Sequence, residues 1–348
     1  MAKAVKLADI AGILNVSAVT VSKALSNQKG VSEEMREKIK KLADEMGYKP
    51  PSAAKNQRVH KSYNIGVLVS ERYFDKYASF YWQVYQEVVT KAVQKECFTM
   101  LEVLSVQREK ELEIPKLLSE DKVDGLIVIG LLEGEYLNSL ATRAKVPLMY
   151  LDFYDLRHDC DAVITDNFYG MYRMTNYLID RGHTRIAYVG TLLYTCSITD
   201  RYFGYAKAML EHGLPIEPGW IIEDRNPETG TMLEMEDMKL PGNMPTAFAC
   251  NCDMSAGTVV NTIRSKGYRV PEDISVVGFD NYLVPGRCDI GITTYEVDIK
   301  EMARKGINNL IRKMSGEYYK QGITIVEGHP IYKESVQEKK EQEINGIE

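Results

Sequence analysis

Four polar side chains stand where short apolar runs end or a helical stretch begins. Asp152 follows Leu148–Leu151, Asn251 follows Ala247–Ala249, Asp280 follows Ser275–Phe279, and Arg201 opens a helical stretch after the loop Gly190–Thr199. Two carboxylates accept hydrogen bonds, an amide does both, and a guanidinium donates in a fixed fork. Such a set suits a ligand that presents several hydroxyls at once. Phe80-Tyr81-Trp82 adds flat apolar faces on which a pyranose ring can lie, with Phe80 and Trp82 as the expected contacts. The competing reading packs two of these three rings into a core. The loop Asp152–Asp161 brings Tyr154 and His158 to the same neighbourhood.

Other reactive residue types read as structural. The six cysteines (97, 160, 196, 250, 252 and 288) include no CxxC pair, and in a reducing compartment they stay thiols. Cys250-x-Cys252 lacks a further Cys or His at ligand spacing, so neither metal nor cofactor is expected. His183, inside Arg181-Gly-His-Thr-Arg185, is read as a histidine that satisfies backbone groups. The chain contains no GxGxxG, GxxxxGK, GxSxG or HExxH. It therefore lacks the glycines that let a pyrophosphate approach the backbone, and an enzyme is not expected.

The elements that must carry these residues alternate. Apolar runs at Ile65–Val69, Phe98–Leu104, Gly125–Ile129, Leu148–Leu151, Ala162–Ile164, Ile186–Val189, Ile221–Ile222, Ala247–Ala249 and Ser275–Phe279 read as strands. Between them Tyr81–Lys95, Tyr169–Arg181, Arg201–His212, Met254–Lys266 and Ile299–Met314 have helical spacing. Strand–helix alternation means parallel sheets with right-handed crossovers, and about 270 residues exceed what one core serves, so two α/β lobes are expected. Open parallel sheets place ligands beyond the carboxyl ends of their strands, where the four polar residues fall.

The first fifty residues follow a different rule. Leu7, Ile10, Ala11 and Leu14 recur at helical spacing, and Asn15 stands where a tight turn needs a left-handed backbone. Ser17 then offers an N-cap oxygen to a second helix, Ala18–Leu25, and Ser32 to a third that ends near Gly47. Ile10, Val16, Val21, Leu25, Val31, Ile39 and Leu42 are the expected core of this three-helix unit. Helix, tight turn and short helix form a helix-turn-helix, a module for reading duplex DNA.

Charge is segregated in agreement. Through Ser62 there are 12 Lys and Arg against 6 Asp and Glu, a surplus of +6, while the remainder carries −12 and the whole −6. A local basic end can be steered to phosphates even on an acidic chain. Lys6 and Asp9 interrupt the apolar stretch a signal peptide needs, and Gly125–Leu132 is far short of the roughly 20 residues that span a bilayer. A cytoplasmic protein with no membrane partner is expected.

The strings Val5–Ala11, Asn15–Asn27, Val31–Ile39 and Met46–Pro50 resemble the headpiece of the lactose-repressor (LacI/GalR) family of bacterial transcription regulators. The likeness continues through Asp166-Asn167 ahead of Gly170, Arg181–Ala187, Ser275–Asn281 and Ile292–Thr294. It implies a DNA-binding headpiece at 1–50, a hinge at 51–62, a two-lobed core similar to periplasmic sugar-binding proteins at 63–340, and a tail at 341–348. The first lobe is placed at about 63–164 and 293–322, the second at about 165–292 and 323–340. It also implies that Asp152, Arg201, Asn251 and Asp280 contact an effector. Where the family carries an Asn-Asp pair this chain reads Asn251-Cys252-Asp253, which leaves the roles of Cys252 and Asp253 open.

The resemblance implies a repressor that binds a palindromic operator as a homodimer, with the second helices in successive major grooves. Ala18, Val19 and Lys23 match base-reading positions, Thr20, Ser22, Asn27 and the helix start at Ser32 suit phosphates, and the N-cap Ser17 is a further expected DNA-binding residue. The family's minor-groove leucine wedge aligns with Gln57, a polar amide that cannot replace it. A ligand, with a sugar ahead of a nucleobase, shifts the equilibrium between two lobe arrangements by its differential affinity, as inducer or corepressor. The opposing class, a solute-binding protein without DNA, is disfavoured by the N-terminal module. The segment Glu334–Glu348 lacks an apolar heptad repeat, which argues against a helical tetramer zipper.

Overall fold

Two backbone requirements in the first turn of the chain are met as the residues demand. In the computed structural model, which describes residues 5–25, 28–46, 48, 62–74, 79–155 and 161–339, Asn15 has φ +50°. It joins helix α1 (Leu7–Ile13) to α2 (Ala18–Leu25). The Ser17 hydroxyl accepts from the Thr20 N–H at 3.0 Å, and Ser32 caps α3 (Glu33–Glu45) by accepting from the Met35 N–H at 3.4 Å. Ile10, Ala11, Val21, Ala24, Ile39 and Ala43 are the buried centre, and Val16, Leu25, Val31 and Leu42 pack around it half-buried. Arg36, unanticipated, is also buried. It donates to the carbonyls of Gln28 (3.0 Å) and Ala24 (3.4 Å), answering carbonyls at and beyond the end of α2. Asn27, Gly47, Gln57, His158 and the tail lie outside the described residues, as does the hinge up to Lys61.

The chain divides at Lys61 and Ser62 into two compact units, and the second contains both sheets. It opens with β1 (Asn64–Ser70), α4 (Phe80–Val93), β2 (Phe98–Leu104), the short helices α5 (Val106–Lys110) and α6 (Lys116–Ser119), then β3 (Gly125–Ile129), α7 (Gly134–Arg143), β4 (Leu148–Leu151) and β5 (Ala162–Thr165). The second lobe follows with α8 (Asn167–Asp180), β6 (Ile186–Val189), α9 (Cys196–Glu211), β7 (Ile221–Ile222), β8 (Ala247–Cys250), α10 (Asp253–Ser265), β9 (Ser275–Asp280) and β10 (Thr293–Glu296). The chain then returns through α11 (Ile299–Ser315) and β11 (Ile323–Val326), and crosses again to β12 (His329–Ile331). The nine expected strands are all present.

Both sheets have six strands, in the orders β11-β5-β4-β3-β1-β2 and β12-β10-β9-β8-β6-β7. Every pairing is parallel except β12 with β10. Two expected lobe boundaries are corrected. Residues 293–296 pair with β9 and belong to the second lobe, and residues 323–326 pair with β5 and belong to the first. The second and third crossovers therefore lie just after β10 and between β11 and β12. One continuous buried cluster takes in Val67, Ile127 and Leu151 of the first lobe together with Tyr188, Ala249 and Phe279 of the second.

Close packing of α9 on α8 depends on Gly204, since a Cβ there would overlap the Phe168 carbonyl oxygen and approach the Tyr172 nitrogen to 2.9 Å. At β9, a Cβ on Gly278 would occupy the place of the Asp253 carboxylate.

Candidate functional site

Strand ends and helix starts of both lobes converge on a cleft of about 700 Å³. Asp152, just beyond β4, and Asp280, ending β9, enter it with φ of +68° and +93°. Left-handed backbone at non-glycine residues is strained and gathers at functional sites. Arg201 reaches the cleft from the second turn of α9, whose N-cap Thr195 accepts from the Ile198 N–H at 3.2 Å. Its planar group lies 3.8 Å from the centre of the Phe279 ring. Nε donates to Asn167 Oδ1 at 2.8 Å and Nη1 to the Asn251 carbonyl at 2.6 Å. Nη2 stands 3.1 Å from Asp280 Oδ1 as an ion pair without hydrogen-bond alignment.

The two carboxylates are under-served. Asp152 Oδ2 accepts from the Tyr81 hydroxyl at 2.9 Å, but its Oδ1 is buried without a hydrogen-bond partner, and Asp280 Oδ1 has only the ion pair with Arg201. Burial pushes the Asp152 pKa up to about 6, with Arg201 pulling it down and Asp280 adding to the rise. Asp280 is also raised by burial, against the pull of Arg201 and Arg225. Burial opposes the charge of Arg201, yet Asp280 and Asp152 hold its pKa above the usual value.

Asn251 lines the cleft, but its amide is already engaged. It donates to the Val189 carbonyl at 3.0 Å and to Asp224 Oδ2 at 2.7 Å. Asp224 and Arg225 were not foreseen. Asp224 is buried and accepts from Arg225 Nη2 (2.7 Å), the Ser255 hydroxyl (2.6 Å) and the Thr191 N–H (2.9 Å). Burial alone would raise its pKa, but Arg225, Ser255 and Asn251 hold it far below the ordinary carboxylate range. Arg225 thereby stands in the cleft wall with Thr231 and Met232 of the following turn. Both residues lie past the end of β7, so the rule that found Asp152 and Asp280 also reaches them.

Two aromatic expectations change. Phe80 and Tyr81 line the cleft and Trp82 does not. Capping of α4 by Ser79 at the Trp82 N–H fixes the helix phase, and the Trp82 ring packs on Phe74 and Tyr85 at 5.8 and 5.3 Å between centres. Tyr154 also turns elsewhere, its hydroxyl 3.2 Å from Asp200 Oδ1. Tyr282 of the second lobe faces Phe80 of the first at 6.5 Å. Cys252 lines the cleft, whereas Asp253 is held by the Thr294 hydroxyl and the Tyr282 N–H, with burial raising its pKa. His183 sits between the Thr246 hydroxyl and the Gln337 carbonyl, each at 3.1 Å. Among the described residues no group of three His, Cys, Asp or Glu is placed to hold a metal ion, and no single helix is long and apolar enough to cross a membrane.

In the headpiece, α2 presents Ala18, Val19, Ser22 and Lys23 outward, and Val19 is 63% exposed. Among the described residues nothing covers this apolar side chain on its helix of eight residues. The Ser17 and Thr20 hydroxyls are 2.8 Å apart, so the cap also orients Thr20.

A helix-turn-helix unit on a chain with a two-lobed, polar-lined ligand cleft defines a ligand-responsive DNA-binding regulator. Residues 6–51 match the description "Bacterial regulatory proteins, lacI family", and residues 175–336 match a periplasmic binding protein-like domain. The regulator NtdR of the NTD biosynthesis operon of Bacillus subtilis is 30% identical over 311 residues, covering 88% of this chain and 92% of that protein. The transcriptional repressor PurR of Histophilus somni is 29% identical over 317 residues, covering 88% and 91%. The chain belongs to the lacI family of bacterial transcription regulators. Its fold is shared with the CelR–cellobiose complex (TM-score 0.67, 23% identity, 95% and 99% covered). It is shared too with the Lac repressor dimer bound to operator and the anti-inducer ONPF (0.66, 22%, 96% and 100%).

Proposed function

We propose that this regulator is a cytoplasmic homodimeric repressor that responds to a polyhydroxylated ligand, a sugar or close relative, bound between the two core lobes. The observation that carries this reading is the pair of buried oxygens beside Arg201 in one cleft, Asp152 Oδ1 with no hydrogen-bond partner and Asp280 Oδ1 with only the Arg201 ion pair. Buried acceptors without donors cost free energy that ligand hydroxyls recover. Phe80, Tyr81 and Tyr282 supply the apolar faces. Asp152 belongs to the first lobe and Asp280 and Arg201 to the second, so a ligand that engages all three favours one lobe arrangement over the other. On DNA, Lys23, Ala18 and Val19 read base edges, while Ser17, Thr20, Ser22, Asn27 and the α3 start at Ser32 meet phosphates.

Titration calorimetry against a sugar library, followed by Arg201→Ala and Asp280→Ala, tests this. Each variant is expected to lose the ligand response at ligand levels that saturate the wild type, since a partner lost from a buried polar set costs about 1–3 kcal/mol. Operator binding without ligand is expected to persist. Unchanged ligand affinity in both variants would place the pocket elsewhere.

A further inference from the structure

Each cation that lines the cleft is already engaged by carboxylates, Arg72 by both Glu109 and Glu133. Arg72 donates to Glu109 at 2.7 Å, Arg225 to Asp224 at 2.7 Å, and Arg287 to Glu234 at 2.8 Å. Arg201 faces both Asp152 and Asp280, with Arg225 adding its charge at Asp280, and the Nε and Nη1 of Arg201 are spent on Asn167 and Asn251. Among the described residues three carboxylates of the cleft, Asp152, Asp224 and Asp280, thus share two guanidiniums, Arg201 and Arg225, one positive charge too few. Asp152 is 5% exposed and its Oδ1 has no hydrogen-bond donor, while Asp280 Oδ1 has only the Arg201 ion pair. Neutral hydroxyls would supply hydrogen bonds there but leave the surplus charge uncompensated in a low-dielectric site.

We propose that the effector carries a basic amine in addition to its hydroxyls, as an amino sugar or aminopolyol, and that its ammonium is taken by Asp152 Oδ1 together with Asp280 Oδ1. This rests on the polyol reading above. An ammonium has three donors and one charge, which gives both oxygens a hydrogen bond and supplies the missing charge in a single group. The rings of Phe80 and Tyr81 flank the same region and favour a cation over their faces. The groups facing Asp152 are Arg201, Asp280 and Tyr81, and those facing Asp280 are Arg201 and Arg225. With Asp152 raised to about 6, an amine binds less tightly as pH falls below that value and displaces a proton there.

The test is calorimetry on the full chain with glucose, galactose and maltose, each beside its amino-deoxy and N-acetylamino counterparts, at pH 5.5 and 7.5. At least one amino-deoxy sugar is expected to bind about tenfold or more tightly than both its parent and its N-acetyl form. That advantage is expected to shrink at pH 5.5, and Asp152→Asn and Asp280→Asn are expected to cost the amine more than they cost the parent. A parent sugar that binds as well as its amine overturns the amine while leaving the sugar reading intact. No binding by any member at about 10 mM, far above ordinary effector affinities, overturns both.

Discussion

Replacing Asp152 by asparagine is expected to stabilise the ligand-free protein, and only above a particular pH. The carboxyl titrates at about 6 in the folded chain against an ordinary value of 3.8. Its folded pKa is raised, so the folded state holds a proton that the unfolded state releases. The stability this proton confers is complete below the ordinary value and is lost as pH climbs through about 6. About two pK units at 1.36 kcal/mol each give about 3 kcal/mol. Asparagine keeps an oxygen for the Tyr81 hydroxyl, carries no charge at any pH, and relieves Asp280 of a neighbouring anion. Asp152→Asn should therefore match the wild type near pH 4 and exceed it by about 3 kcal/mol at pH 7.5. In a unit of this size that is about 6 °C in Tm. Melting curves of both proteins between pH 4.5 and 8, without ligand, read the difference directly. A gap that does not widen with pH, or an asparagine variant that melts lower at pH 7.5, would refute the charge balance drawn for the cleft.

Three further expectations concern other parts of the molecule. Lys23→Ala should weaken operator binding by about 1–3 kcal/mol and leave binding to random duplex nearly intact, as competition shift assays would read; equal losses on both DNAs would make Lys23 a phosphate contact. Gln57→Leu should increase operator affinity and bending in permuted-site gel assays, because an apolar wedge unstacks a base step where an amide does not. Gly204→Ala should cost about 1–3 kcal/mol in thermal or denaturant unfolding, since the new methyl meets backbone of α8 rather than a movable side chain.

The sequence disclosed most where local chemistry decides the outcome. Asn15, Ser17 and Ser32 announce the headpiece turns and caps because left-handed backbone and N-cap oxygens are properties of single residues. The nine core strands were visible as apolar runs for a similar reason. Lobe membership was not, because Thr293–Glu296 and Ile323–Val326 are four-residue strands whose sheet is chosen by partners far away in the chain. At the cleft, strand ends pointed to Asp152 and Asp280, yet the two-residue β7 drew no attention to Asp224 and Arg225. The choice between Tyr81 and Trp82 turned on helix phase. One residue is about 100° of rotation, and the Ser79 cap that sets it acts through the backbone.

The late return of the chain carries a consequence for biosynthesis. β11 completes an edge of the first sheet and β12 the matching edge of the second, and Ser335 beyond them accepts from the Thr293 N–H and donates to the Val276 carbonyl. Neither half of the core is therefore a contiguous segment, and the two do not both have all their strands until the chain has been made through Ile331. Domains that fold in order of synthesis protect their early parts while later ones emerge. Here both halves close together, so a nascent chain stalled before residue 323 exposes an unpaired strand edge on each.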